Sequence, residues 1–306
     1  MSTFTIEPFR GKLTHGEDMK IHTTMRVGGA APLFIEPSDE ESLVRAVRAL
    51  REAKTRFFVL GGGSNTILPD TIDFAVLSTR KLRAPVRETR ADGSGTTLTL
   101  AAGLSWQPVC AFCKQNAIGR FAPFCGLPGT VGGAVRMNAT CFGFSAGDAL
   151  VSVRYLDIPT MSVREYRKDG RDFSYKKSPF QDGTKIILSA DFLVRRDEEP
   201  TAGETAALYD RFFAERVARK HFSAPSAGSV FKNDPETSLV AGKIIDECGL
   251  KGTQVGGAKV AEWHGNIIIN TGNASAKDIR DLVRHITATV KAKKNVELAC
   301  EIVFAE

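Results

Sequence analysis

Long hydrophobic runs are missing from this chain. Stretches such as Val109–Cys113 and Phe57–Leu60 stop after a few residues, far short of the roughly 18 that a membrane-spanning helix needs. No part of it is expected to cross a bilayer. The opening segment, Met1–Arg10, has neither the basic start nor the apolar core of a secretory signal and carries Glu7, so a cytoplasmic protein is expected. Cysteine is scarce: six residues, at 110, 113, 125, 141, 248 and 300, are too few and too scattered for a disulfide framework. Cys110 and Cys113 form a C-x-x-C in an apolar, helix-like stretch with no second such pair and no nearby histidine pair. They are expected to be buried free thiols, with no metal. The net charge is +6, yet there is no run of five or six basic residues and no aromatic-rich basic motif, so nucleic acid is not an expected partner. A mildly basic surface instead raises the encounter rate of anionic small molecules. Internal repeats and low-complexity tracts are absent as well.

What is present is ordinary globular composition, 42% hydrophobic and 25% charged over 306 residues, long enough for two or three folding units. Leu33–Glu36 has a strand pattern and Ser38–Ala53 a helical one. Ser38 with Glu41 is suited to a capping box, and Leu43, Val47 and Leu50 recur on one face. Phe57–Leu60 then runs straight into Gly61-Gly62-Gly63, completing a strand–helix–strand unit on a glycine turn. Between Asp73 and Val194 strand patterns dominate, at 74–77, 97–101, 150–156 and 185–193, with one helix at 105–115. The charged stretch Arg195–Pro200 marks a domain edge. Beyond it follow helices at 205–219 and 239–248, a strand at 266–270, and a helix at 276–291 with Ser275 as N-cap and Asp278 three residues on. A closing strand is expected at 296–304.

Two glycine-rich segments stand out, Leu60-Gly-Gly-Gly-Ser-Asn65 and the run from Gly126 to Asn138, which reads GLPGTVGGAVRMN. Glycine brings backbone N–H groups close to a diphosphate. Neither segment is a P-loop, since no Gly-Lys-Ser/Thr follows, and the G-x-G-x-x-G fingerprint is also missing. Either loop alone could be a structural turn. With Thr24-Met-Arg-Val-Gly-Gly29 they make a set in fixed order, and there the chain resembles the UDP-N-acetylenolpyruvoylglucosamine reductase (MurB) family. The resemblance extends through PSAGSVFKN at 225–233, AGKIIDECGLKG at 241–252, GGAK at 256–259 and His264-Gly-Asn266, so it covers nearly the whole chain.

The resemblance implies an α+β fold. A two-subdomain FAD-binding fold of the vanillyl-alcohol-oxidase/PCMH type would occupy 1–80 and 81–197, with an α+β substrate domain at 198–306, in the compact form without an extra insertion. It implies FAD held by Arg26, Gly61, Gly62, Gly63, Ser64, Asn65, Gly129, Thr130, Gly132, Gly133 and Asn138. NADPH would be the hydride donor and UDP-N-acetylglucosamine enolpyruvate the substrate, in peptidoglycan precursor synthesis. Lys232, Asn233, Lys251 and His264 would hold the nucleotide sugar, with Lys243 equally explicable as a solvated helix face. Ser229 would donate a proton and Glu301 would hydrogen-bond the activated substrate. Where the family carries Y-R-x-S this chain has Tyr175-Lys-Lys-Ser178, so Lys176 takes the place of an active-site arginine. A lysine brings charge without the planar two-pronged donor. A monomer is expected. Another FAD oxidase on the same scaffold, or a nucleotide-sugar binding protein without catalysis, would have no reason to keep Ser229 and Glu301 together.

Overall fold

The structure, a computed structural model, describes residues 6–91, 95–234 and 239–305. Its contacts gather into two compact units. One comprises the segments ending at His15, Leu33–Gly62 and Phe74–Glu215, the other Gly16–Pro32, Gly63–Asp73 and the chain from Arg216 onward.

In the first unit the strand–helix–strand pattern is realised as Phe34–Pro37, the helix Glu40–Glu52 and Phe57–Leu60. They belong to a sheet ordered Gly11–Thr14, Phe34–Pro37, Ala75–Ser78, Phe57–Leu60, antiparallel at the first pairing and parallel at the others. The helix buries Leu43, Ala46, Val47 and Leu50 completely. Its cap is Asp39 rather than the expected Ser38: the Asp39 carboxylate accepts the Ser42 N–H at 2.8 Å. Ser38 lies one residue before the cap position, since the helix begins at Glu40, and its N–H donates to the Arg10 carbonyl at 3.0 Å. A carboxylate also suits the positive end of the helix dipole better than a hydroxyl does.

The same unit holds a five-stranded antiparallel sheet ordered Ser162–Arg167, Leu150–Asp157, Lys185–Val194, Gly95–Ala101, Arg87–Ala91. The helix Trp106–Gln115 packs its apolar stripe into an aromatic core, Trp106 lying 4.4 Å from Phe124 and 6.4 Å from Phe192 between ring centres. Cys110 and Cys113 are buried free thiols in that core, as expected, and burial pushes Cys113 up to about 12. The two edge strands lack a sequence signal: RETRA and SVREYR are charged and do not alternate as half-buried strands do, which is how sheet edges avoid pairing with other chains.

In the second unit, Ser226–Ser229, Ile267–Asn270, Ala258–Val260 and Gln254–Val255 form an antiparallel sheet. The helix Ala276–Lys294 buries Ile279, Leu282, Ile286 and Val290. The expected Ser275–Asp278 capping box is present. A second cap comes from far away in sequence, because the Asp70 carboxylate accepts the N–H groups of Ala276 at 2.8 Å and Lys277 at 3.1 Å. The expected strand at 296–304 is much shorter: only Val303–Phe304 pairs, in parallel with Thr66–Ile67, while Cys300 makes an isolated bridge to Phe231. The segment changes partner midway, so strict alternation fails, with Leu298 and Ile302 buried but both Ala299 and Cys300 exposed. Among the described residues no helix is long and apolar enough to cross a membrane, and no histidine, cysteine and carboxylate cluster could hold a metal ion.

Candidate active site

The two glycine loops meet backbone to backbone in the first unit. A Cβ placed on Gly62 would lie 2.4 Å from the Gly129 Cα, closer than any real contact, so packing inside the protein already requires glycine at 62. Gly133 is different: an added Cβ would meet only the Thr130 hydroxyl, at an ordinary 3.5 Å. The protein leaves room at that position, as a cradle for a bound group would. The helix Val131–Arg136 begins here with Thr130 as its cap. Its first N–H groups are spent internally, Val131 on the Leu104 carbonyl at 2.8 Å, Gly132 on the Ala102 carbonyl at 2.9 Å and Gly133 on Thr130 Oγ1 at 3.3 Å. In contrast, no acceptor among the described residues takes the N–H groups of Gly61, Gly62 or Gly63. Donors free for a diphosphate therefore lie in the first glycine loop and open space beside Gly133 in the second, an arrangement that fits FAD.

In the second unit Gly63 packs under the Thr24–Gly29 segment. The Thr24 N–H donates to the Gly63 carbonyl at 3.0 Å and its hydroxyl to the Ser226 carbonyl at 2.6 Å. Arg26 stands exposed between buried Met25 and Val27, its backbone in the left-handed region at φ 57°. That turn is held by Asn270, a buried residue whose Nδ2 donates to the Met25 carbonyl at 3.0 Å while its Oδ1 accepts from Gly272 and Ala274. Asn65 faces the C-terminal segment, donating through Nδ2 to the Glu301 carbonyl at 3.0 Å and accepting the Val303 N–H at 2.9 Å.

Ser229 and Glu301, separated by 72 positions in sequence, lie on adjoining backbone segments of this unit: the Glu301 N–H donates to the Val230 carbonyl at 2.7 Å. Ser229 is exposed, at the end of a strand whose register shifts between Ser226 and Ser229 around Gly228, at φ 73°. Such a bulge re-aims the side chain that follows it. Asn266 clamps the next turn, Oδ1 accepting the Phe231 N–H and Nδ2 donating to the Phe231 carbonyl, both at 2.8 Å. Asn266 enters the sequence reading only within the His264-Gly-Asn266 segment and Asn270 only as the end of a strand, neither with a role of its own. Their signal was there, two asparagines bracketing the wholly apolar Ile267-Ile268-Ile269, where buried polar groups need designated partners.

Lys176 lies in the first unit, half-buried beside exposed Lys177, at φ 56° in a tight turn closed by the Lys177 N–H on the Ser174 carbonyl at 3.0 Å. A non-glycine residue in the left-handed region costs energy that surrounding structure must maintain, which is frequent at functional positions. Asn138, expected to touch the cofactor, is bonded within the protein: its Nδ2 donates to the Ser174 carbonyl at 2.8 Å and its Oδ1 accepts the Gly147 N–H at 2.9 Å. It straps the Lys176 turn in place.

The residues expected to hold substrate are gathered in the second unit. Asn233 Oδ1 accepts the Ala241 N–H at 3.0 Å, and the Lys232 N–H donates to the Ala299 carbonyl at 2.8 Å, beside Glu301. Lys251 pairs with Asp246. His264 Nδ1 accepts the Asn266 N–H at 3.1 Å, which places the ring proton on Nε2 as a donor. Burial, then the charges of Lys251 and Arg219, hold His264 below its ordinary value. His221 is lowered likewise by burial and then by Arg216, His264 and Arg219. Lys243, with its ammonium 4.0 Å from Glu247 on an exposed helix face, has the surroundings of a solvated lysine.

Glycine N–H groups left without an acceptor, with room beside Gly133 for a bound group, are the features of a flavin-dependent oxidoreductase. Residues 31–165 match the FAD binding domain family, and residues 220–305 match the C-terminal domain of UDP-N-acetylenolpyruvoylglucosamine reductase. The chain is 35% identical over 306 residues to the UDP-N-acetylenolpyruvoylglucosamine reductase of Treponema denticola, covering 96% of this chain and 94% of that protein. It is 34% identical over 287 residues to that of Borreliella burgdorferi, covering 92% and 91%. The crystal structure of the Thermus caldophilus reductase is similar at a TM-score of 0.76 and 27% identity, over 97% of this chain and 100% of that one. The chain belongs to the UDP-N-acetylenolpyruvoylglucosamine reductase family.

Proposed function

We propose that this enzyme reduces UDP-N-acetylglucosamine enolpyruvate to UDP-N-acetylmuramate in peptidoglycan precursor synthesis, with FAD as cofactor and NADPH as hydride donor. The observation that carries the chemistry is the approach of Ser229 to Glu301, joined through the 2.7 Å bond between Glu301 N–H and the Val230 carbonyl. Bound FAD would supply the hydride-transfer chemistry that links NADPH to the methylene carbon of the enol ether. Negative charge then accumulates on the neighbouring carbon and its carboxylate, so the protein has to stabilise an enediolate and protonate carbon. Lys176 contributes positive charge, Glu301 a hydrogen bond, and the Ser229 hydroxyl the proton.

The cofactor set comprises Arg26, Gly61, Gly62, Gly63, Ser64, Asn65, Gly129, Thr130, Gly132, Gly133 and Asn138, the last also bracing the Lys176 turn. Lys232, Asn233, Lys251 and His264 hold the nucleotide sugar. The functional division is cofactor subdomains at 1–80 and 81–197 and a substrate domain at 198–306. The enzyme works as a monomer in the cytoplasm, where NADPH and nucleotide sugars are made, and has no nucleic-acid partner. Purified protein should be yellow, its flavin absorption bleaching with NADPH and returning on addition of the enolpyruvyl substrate. A reduced flavin that the substrate leaves bleached would refute the assignment.

A further inference from the structure

Arg136 closes the helix that follows the second glycine loop, and its guanidinium is half-buried without a carboxylate. Its contacts are weak and neutral: Nη1 lies 3.8 Å from Met137 Sδ and Nη2 3.4 Å from the Gln181 carbonyl. No ion pair reaches it among the described residues. Asp182 adds only a longer-range attraction, and its carboxylate is bonded to Lys185 and Thr184. Burial depresses the basicity of this guanidinium, and the attraction of Asp182 offsets only part of that effect. Only Nη1 and Nη2 have partners among the described residues, each in one weak contact, so N–H donors remain for an anion that arrives.

The position of this group gives the vacant donors a purpose. Its backbone is strapped to the turn that carries Lys176, since Ser178 Oγ donates to the Arg136 carbonyl at 2.6 Å and Gln181 Nε2 to the Lys176 carbonyl at 3.0 Å. Asn138, two residues beyond, adds the bond to Ser174. Lys176 is the residue that stands where the family pattern has an arginine, and it lacks the planar fork that matches a carboxylate in two bonds.

We propose that Arg136 supplies that fork, receiving the carboxylate of the enolpyruvyl group beside Lys176. This rests on the reductase assignment above. The test compares binding of two nucleotide sugars to purified, flavin-loaded enzyme by titration calorimetry: the enolpyruvyl substrate, and UDP-N-acetylglucosamine, which lacks the carboxylate. Wild type should prefer the enolpyruvyl compound by about 10- to 100-fold, the worth of a charge-assisted pair. In Arg136→Met the preference should vanish while affinity for UDP-N-acetylglucosamine stays. Restoring a guanidinium nearby, in Arg136→Met with Lys176→Arg, should recover most of it. Arg136→Gln, which keeps a donor for the Gln181 carbonyl, serves if the methionine variant folds poorly, and should lose the preference as well. An undiminished preference in a folded Arg136→Met or Arg136→Gln protein would overturn the proposal. A wild type whose NADPH-bleached flavin is not restored by the enolpyruvyl compound would instead sink the reductase assignment, and this inference with it.

Discussion

At the scale of single residues, Lys176 and Ser229 can each be separated from a merely structural role. Lys176 holds φ 56°, where glycine sits without strain and a side chain costs about 1 kcal/mol. If only backbone geometry mattered, glycine would be the better residue. Lys176→Gly should therefore keep stability to denaturant within about 1 kcal/mol of wild type, while reoxidation of flavin by substrate slows by roughly 10²–10³-fold, as for one lost oxyanion donor. Wild-type reoxidation in that variant would remove Lys176 from the mechanism and point to exposed Lys177. Ser229 caps no helix; it ends a bulged strand with its side chain exposed. Its proton is needed only after hydride has moved, so the two half-reactions should part company in Ser229→Ala. Bleaching by NADPH should keep its rate, and reoxidation by substrate should slow by roughly 10²–10⁴-fold, the usual worth of a positioned acid. Stopped-flow absorbance measures both in one preparation, and equal reoxidation rates would show that the proton comes from elsewhere.

At the scale of elements, the sequence was most readable where burial imposes a period. The helix from Ala276 and the strand Phe57–Leu60 appear where their apolar patterns place them. Charged edge strands such as Arg87–Ala91 gave no pattern, because solvent on their outer side imposes none. Segment 296–304 was misleading because its residues answer to two partners, Phe231 and then Thr66–Ile67. Within the candidate site, motif residues could be picked out, but not how their donors are spent. Nothing in the letters tells that the Asn138 amide bonds Ser174 and Gly147, or that Gly62 is fixed by Gly129 while Gly133 is not. That last contrast gives a paired test of the cofactor cradle. Gly133→Val should fold, its melting temperature shifting by a few degrees, yet purify with little FAD. Gly62→Val should fail at the fold itself, because its Cβ would overlap the Gly129 backbone at 2.4 Å. Full flavin occupancy in Gly133→Val would mean that the cradle lies elsewhere.

At the scale of the whole molecule, the charged stretch Arg195–Pro200 advertises a place to cut the chain, but the second compact unit also contains Gly16–Pro32 and Gly63–Asp73. Met25, Val27 and Ile67, each at most 1% exposed, belong to the same hydrophobic cluster as Phe231, Ile245 and Ile286. Removing three such side chains forfeits roughly 1.5–3 kcal/mol apiece. Lost with them are the pairing of Thr66–Ile67 with Val303–Phe304, the Asp70 cap on the helix from Ala276, and the Thr24 bond to Ser226. One cap alone is worth about 1 kcal/mol. Together these losses approach the roughly 5–15 kcal/mol by which whole domains are stable. A fragment of residues 198–306 should therefore show no cooperative unfolding transition by circular dichroism and no dispersed amide spectrum. Supplying residues 1–197 in trans should restore both, since the missing strand, cap and core residues are all on that piece. A cooperative transition in the isolated fragment would mean that the N-terminal segments merely decorate a unit that is stable without them.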